Sequence, residues 1–361
     1  MSKVLIIGGG GYIGTSLAEK LIRDGHGITI FDSLMYGNES LQRLEAILSR
    51  GISTANALLI GMNSHSRFEN FELVKGDTRY AEDLKRTFAE GRFDYVFHFG
   101  ELVGTYSCAK DPKTTEEINF KATSNVAKLA AVNGAVFIYN SSSSVYKATQ
   151  HPTLLLGEDT KLPPLHSLDD YCKNTVKAEK AIKSTGESHT DFRYIVLRPA
   201  TVGGLSPRMR IDLLPNQFTL GAMTLGKIHI DSPNDYRAVI DIGDIVDFYA
   251  RLLKSLPPNG IYNIGHHNLT KSEFVNAIVR EVSPRKVEIL PSIQVHGDPR
   301  NLRISSDKLE TATGFVPTRD FRETIRPLVQ LLQEHPTVFE KDRFKGFINM
   351  TLDDFLRMLN Q

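Results

Sequence analysis

Val4-Leu5-Ile6-Ile7-Gly8-Gly9-Gly10-Gly11-Tyr12-Ile13-Gly14 joins an apolar run to four consecutive glycines and then to an amphipathic stretch. Four apolar residues in a row fit a short strand buried on both faces. Glycine permits positive φ and lets a backbone approach a ligand closely. A helix that starts behind such a turn presents free N–H groups and the positive end of its dipole, which suits a pyrophosphate. In this order the elements predict a dinucleotide-binding turn, with Gly8, Gly11, Tyr12 and Ile13 against the cofactor. A bare strand–helix turn is the alternative.

The neighbouring sequence supports the cofactor reading. A helix is expected from about Gly14 to Asp24, with Leu17, Leu21 and Ile22 on one face and a stop near Gly25. Gly27–Phe31 is the second strand, and Asp32 follows it, 18 residues after Gly14. A carboxylate there meets the adenosine ribose hydroxyls and repels a 2′-phosphate, which favours NAD over NADP. Leu41, Leu44, Ile47 and Leu48 suggest a helix, and Gly51 to Arg67 reads as a loop or excursion. Further strands are expected at Phe71–Lys75, Phe93–Phe99, Val136–Tyr139 and Tyr194–Leu197, with helices near Lys121–Val132 and Tyr171–Lys183. This alternation predicts an α/β fold with a parallel sheet covered on both faces. After Pro199 the rhythm breaks, which points to a smaller lobe interrupted by a return to the sheet near Ile240–Ile264. The tail reads as a helix with Thr351 as N-cap and Leu352, Phe355, Leu356 and Leu359 facing inward.

Composition removes other classes. A net charge of +1 gives no reason to expect nucleic acid or an anionic membrane as partner. With Cys108 and Cys172 as the only cysteines and no H-E-x-x-H pattern, no disulfide framework or metal site is expected. His266-His267 reads as loop. The first strand begins at about Lys3, and no run approaches membrane-spanning length, so a cytoplasmic protein without a signal peptide is expected.

Three more stretches carry a family resemblance. Asn140-Ser141-Ser142-Ser143-Ser144-Val145-Tyr146 follows a strand, so its serines reach the carboxyl edge of the sheet, where ligands of such sheets bind. Tyr171 opens a helix that runs to Ala178-Glu179, and Leu197-Arg198-Pro199 follows the next strand. With the glycine turn, Asp32, Gly76-Asp77, His98, Arg237, Asp244, Tyr262-Asn263-Ile264-Gly265, Gly297-Asp298 and Asp307-Lys308, the chain resembles the extended short-chain dehydrogenases/reductases. More narrowly, it resembles the nucleotide-sugar epimerase/dehydratase family, from Lys3 to about Arg326. The resemblance implies a Rossmann-type, doubly wound sheet in residues 1–198, joined again by 236–265. It also implies a smaller, mixed nucleotide-sugar lobe in 199–235 and 266–361.

By the same resemblance, Tyr171 takes the proton of a sugar C4 hydroxyl while hydride moves to tightly bound NAD, and Ser142 orients that oxygen. Asp77, Thr78 and Gly100 join the cofactor site, and Ser143, Asn216, Arg237, Arg208 and Arg300 the substrate site. The substrate is a UDP-, GDP- or dTDP-linked sugar, and the partner a second copy paired through a four-helix bundle. Related 4,6-dehydratases carry an Asp-Glu pair where this chain has Ser143 and Ser144, so the serine run is closer to 4-epimerases and 4-dehydrogenases. The Tyr-x-x-x-Lys motif departs here, because Thr175 holds the lysine position, where it keeps a hydrogen bond to the cofactor ribose but supplies no charge to lower the Tyr171 pKa. Lys173 and Lys177 project roughly 160° and 120° away around the helix. Two functions remain open: an active NAD-dependent epimerase or dehydrogenase, and a catalytically weak sugar-binding relative. Glu101 stands where the family has a small residue. It is either a carboxylate turned to solvent or capping a turn, or a compensating base near the nicotinamide.

Overall fold

The computed structural model describes residues 1–60, 68–147, 154–292, 300–339, 347, 348, 355 and 359. Its first strands are β1 (Lys3–Ile7), β2 (Gly27–Asp32), β3 (Glu72–Lys75), β4 (Tyr95–His98), β5 (Val136–Asn140) and β6 (Leu155–Leu156). They are followed by β7 (Tyr194–Pro199), β8 (Thr201–Gly203), β9 (Lys227–Ile230) and β10 (Tyr236–Asp241). The last are β11 (Gly260–Ile264), β12 (His267–Thr270), β13 (Glu288–Pro291) and β14 (Arg303–Ile304). Among the described residues, seven form one sheet in the order β11-β7-β5-β4-β1-β2-β3, with every pairing parallel.

Strand alternation explains the two covered faces. Val4 and Ile6 enter one core with Leu17, Leu21 and Phe248, and Leu5 and Ile7 enter a second with Phe88, Val126 and Ile182. Successive side chains of a strand point to opposite faces, so a continuous apolar run needs helices on both. Burying each of the four stabilises the fold by roughly 1.5–3 kcal/mol. The doubly wound sheet expected from the sequence is therefore present. Ile7 lies opposite both Phe31 and His98, and His98 opposite Tyr139, which aligns the carboxyl ends of β1, β2, β4 and β5. From β1 the sheet runs to β2 on one side and to β4 on the other, and the crevice at such a switch point is where ligands bind.

The smaller lobe is mixed, as expected: β10 pairs antiparallel with β12 and parallel with β8, and β13 pairs with β9. The expected return to the sheet is corrected in part, because Gly260–Ile264 joins it while Tyr236–Asp241 builds the lobe sheet. His267 likewise opens a strand rather than lying in a loop. The Gly51–Arg67 loop contains a helix, Thr54–Leu59, whose first turn is capped by Ser53 accepting the Asn56 N–H at 3.2 Å. Residues 61–67 lie outside the described residues. The helix read from Lys121 begins at Pro112, where Asp111 caps the Thr114 N–H at 3.0 Å, and passes through a π-helical turn at Glu117–Ala122. Thr351, Leu352, Leu356 and the Gly297-Asp298 pair lie outside the described residues, whereas Phe355 and Leu359 are buried. No helix among the described residues is long and apolar enough to cross a membrane.

Candidate active site

The glycine turn is shaped by close backbone approach. Gly8 has φ +74°, donates to Phe31 O at 2.8 Å, and accepts the Gly11 N–H at 3.0 Å. A Cβ on Gly8 would stand 2.6 Å from Gly100 N, and one on Gly14 2.6 Å from Gly8 O. Both distances are impossible without moving backbone, so only glycine lets the turn, the helix start and the loop after β4 meet. Asp32 accepts Gly10 N–H at 2.9 Å and Leu34 N–H at 2.8 Å. Burial raises its pKa, and the two N–H donors oppose that shift, fixing the carboxylate at the mouth of the turn. Asp77 is paired with Arg79 at 2.6 Å, which holds its carboxyl below the usual range, and Thr78 is buried beside it.

At the carboxyl end of β5 a buried network sets the serine run. Ser141 donates to Glu179 Oε1 at 2.5 Å, and Arg198 holds the same carboxylate at 2.8 and 2.6 Å. Arg198 also donates to the Tyr146 hydroxyl at 2.8 Å, and Tyr146 donates to Asn263 Oδ1 at 2.9 Å. Ser142 accepts the Ser144 N–H at 3.1 Å, opening the short turn that holds Ser143 and Ser144. Opposite it, Asp169 caps the helix Asp170–Ser188 by accepting the Cys172 N–H at 2.9 Å, and Lys147 pairs with Asp169 at 2.9 Å. Tyr171, on the first turn, is buried with Ser142 at its phenol. Burial and Glu101 drive the phenol far above its ordinary pKa, although the charge of Arg210, itself paired with Asp212 at 2.7 Å, also acts on it.

The helix also shows what became of the lysine position. Thr175 is fully buried and donates its hydroxyl to Tyr171 O at 2.9 Å. Lys173 pairs with Asp170 at 2.6 Å and Lys177 with Glu116 at 2.9 Å, so both point away from the phenol, as the helical angles require. Glu101 is half-buried, with its carboxylate turned inward to β5. Its Oε1 accepts the Tyr139 hydroxyl at 2.5 Å, and burial pushes its carboxyl up to about 8. Among the described residues no group of three His, Cys, Asp or Glu could hold a metal ion.

A model of the NAD dependent epimerase/dehydratase family matches residues 4–265. The chain belongs to that family. The cradle fits the NAD of an NAD dependent epimerase/dehydratase: glycines whose Cβ atoms would clash, a helix N-terminus without a side-chain cap, and Asp32 held by backbone donors. Among similar proteins, a bifunctional UDP-glucose 4-epimerase and UDP-xylose 4-epimerase of Pisum sativum is 23% identical over 342 residues, covering 87% of this chain and 90% of that protein. UDP-glucose 4-epimerase 3 of Oryza sativa subsp. japonica is 26% identical over 338 residues, covering 87% and 85%. The fold matches that of the Thermus thermophilus UDP-glucose 4-epimerase in complex with NAD, with a TM-score of 0.73 at 22% identity, covering 92% of this chain and 99% of that one.

Several residues expected at the ligands also make contacts within the chain. Tyr12 donates to Gly204 O at 2.7 Å, and buried Asn216 gives its amide to Arg210 O at 2.9 Å and accepts Gly204 N–H at 3.2 Å. Ile13 packs against the larger core. Arg208 lies over the Tyr36 ring at 4.4 Å and its charge acts on Asp32, at the carboxyl end of β2. The cause is the loop after β8, where Ser206 donates to Tyr12 O at 2.6 Å and pulls the segment over the glycine turn. Arg300 does reach the serine run, donating to Ser144 Oγ at 2.9 Å, and Arg237 is buried in β10. Sequence reasoning missed Tyr139 and Asn119. The period-2 pattern of β5 puts Tyr139 on the face of Phe137, but what stands opposite is set by tertiary structure.

Proposed function

We propose that this chain is an NAD-dependent nucleotide-sugar 4-epimerase or 4-dehydrogenase acting on a UDP-linked sugar. The observation that carries the proposal is that buried Tyr171, on the first turn of the helix Asp170–Ser188, stands beside Ser142 at the carboxyl end of β5. NAD supplies the hydride acceptor when bound. Ser142 and Tyr171 hold the sugar oxygen by hydrogen bonds, and Ser143 with Arg300 lines the sugar beside them. Arg237 binds the pyrophosphate, for which a planar guanidinium is suited. In the place where elimination would require an acid and a base stand Ser143 and Ser144, which disfavours the 4,6-dehydratase alternative.

The readout is absorbance near 340 nm with UDP-, GDP- and dTDP-sugars, with products resolved by NMR. Catalytic inversion at C4 is the epimerase outcome, and stoichiometric NADH with a released ketosugar the dehydrogenase outcome. Sugar binding without redox change under any condition would favour a binding protein and overturn the proposal. A homodimer through the helices ending at Val132 and Ser188 belongs to the same proposal, supported by the exposed Val132 and opposed by outward Lys128, Lys180 and Lys183. Light scattering at twice the 40.3 kDa chain mass supports it, and 40.3 kDa rejects it. The free thiols of Cys108 and Cys172 support a cytoplasmic setting.

A further inference from the structure

Glu101 is built into its place from two sides. It follows Gly100, which stands against the glycine turn, and the next residue is clamped by the π-helical turn: Asn119 accepts Leu102 N–H at 2.9 Å and donates to Leu102 O at 2.7 Å. Cys108 Sγ adds a third contact, to Leu102 O at 3.4 Å. Such π turns occur frequently at functional sites. On the other side the carboxylate meets the Tyr139 hydroxyl at 2.5 Å from the adjoining strand, whose ring stacks on His98 at 6.0 Å.

We propose that Glu101, fixed by Tyr139, receives and returns the proton of the sugar hydroxyl, while Tyr171 stays a neutral phenol that only hydrogen-bonds the sugar oxygen. This rests on the nucleotide-sugar reading above. In the oxidation, the C–H bond breaks with its electron pair leaving as hydride to the oxidised nicotinamide cofactor. The O–H electron pair becomes the second C=O bond, and the proton ends on the Glu101 carboxylate. Re-reduction reverses each transfer.

The surroundings suit this role. The groups that act on Glu101 are Tyr139 from β5, Tyr171 and Glu179 from the helix Asp170–Ser188, and Cys108 from the helix Thr105–Lys110. Glu179 is neutralised by Arg198 at 2.6 Å, and no cation is among the influences on Glu101 itself. Burial therefore dominates and pushes the carboxyl up to about 8, where a proton can be both taken and given back. A cation bound in the same crevice would enlarge the share of its base form. The Tyr171 phenol is pushed the other way from usefulness as a base, beyond any physiological pH.

The test uses the full chain and its Glu101→Gln, Glu101→Asp and Tyr139→Phe variants, with NAD affinity measured by calorimetry. The pH dependence of kcat/KM is then recorded with the UDP-sugar that the wild type turns over. Glu101→Gln is expected to lose about 100-fold or more and to flatten the acid limb, with Glu101→Asp restoring part of both. Tyr139→Phe should move the limb to higher pH, because the carboxylate loses a donor. Independently of turnover, an infrared carboxyl band that titrates near pH 8 in the wild type should be absent from Glu101→Gln. Activity within threefold of wild type with an unchanged limb, or a Glu101 carboxyl titrating near 4.5, overturns the proton role and leaves the sugar reading standing. A wild type that binds NAD but oxidises no nucleotide sugar overturns the sugar reading and the proton role with it.

Discussion

Glu101 combines a raised pKa with a single strong donor, and that pairing has a cost for the cofactor-free protein. Its carboxyl titrates at about 8 in the folded chain against 4.5 for an unperturbed glutamate. Between those values the folded state keeps a proton that the unfolded state has lost, so stability falls as pH rises through the window. Glu101→Gln removes this dependence and keeps a group that can accept from Tyr139. We expect the variant to match wild type near pH 4 and to melt a few degrees higher at pH 8, when Tm is followed against pH without NAD. A difference between the two proteins that does not change with pH would contradict the assignment. Thr175 shows the opposite economy. Its hydroxyl is satisfied inside its own helix, so it neither charges the site nor leaves a buried polar group unpaired.

Among the elements, the glycine turn and the helix behind it form one unit. A methyl group on Gly14 meets the Gly8 carbonyl at 2.6 Å, and since both partners are backbone the turn itself must open. Gly14→Ala is expected to weaken NAD binding about tenfold or more and to cost roughly 1–3 kcal/mol of stability, as overpacking does. Gly25 ends the same helix at φ +85° with nothing within 4 Å of its would-be Cβ. Gly25→Ala should therefore lose stability through backbone strain while calorimetry finds NAD affinity unchanged. Equal loss of NAD affinity in both variants would argue that general destabilisation, and not the shape of the turn, governs binding. Pro112 is compatible with a helix only in its first turn, so it reads as a break until Asp111 is seen to cap the Thr114 N–H.

Across the whole molecule, the Glu179–Arg198 pair ties the helix Asp170–Ser188 to β7 and the serine run, with both side chains only 3% exposed. Removing one partner leaves an uncompensated buried charge, so Arg198→Met should cost roughly 3–5 kcal/mol in denaturant unfolding. The double variant Arg198→Met/Glu179→Leu should recover most of that loss, and a double variant as unstable as the single one would refute the explanation. Local sequence was enough to specify the β1–glycine–helix unit, Asp32 at the end of β2, the parallel strands and the positions of Ser142 and Tyr171. These depend on periodicity and on backbone needs that act over a few residues. Long-range packing, in contrast, put Tyr236–Asp241 in the lobe sheet, folded the loop at Ser206 over the glycine turn, and spent Asn216 and Tyr12 on that closure. It also turned Glu101 towards Tyr139. Residues 38 apart meet there because two parallel strands stand side by side and a π turn fixes the loop between them, and no local pattern encodes either distance or burial.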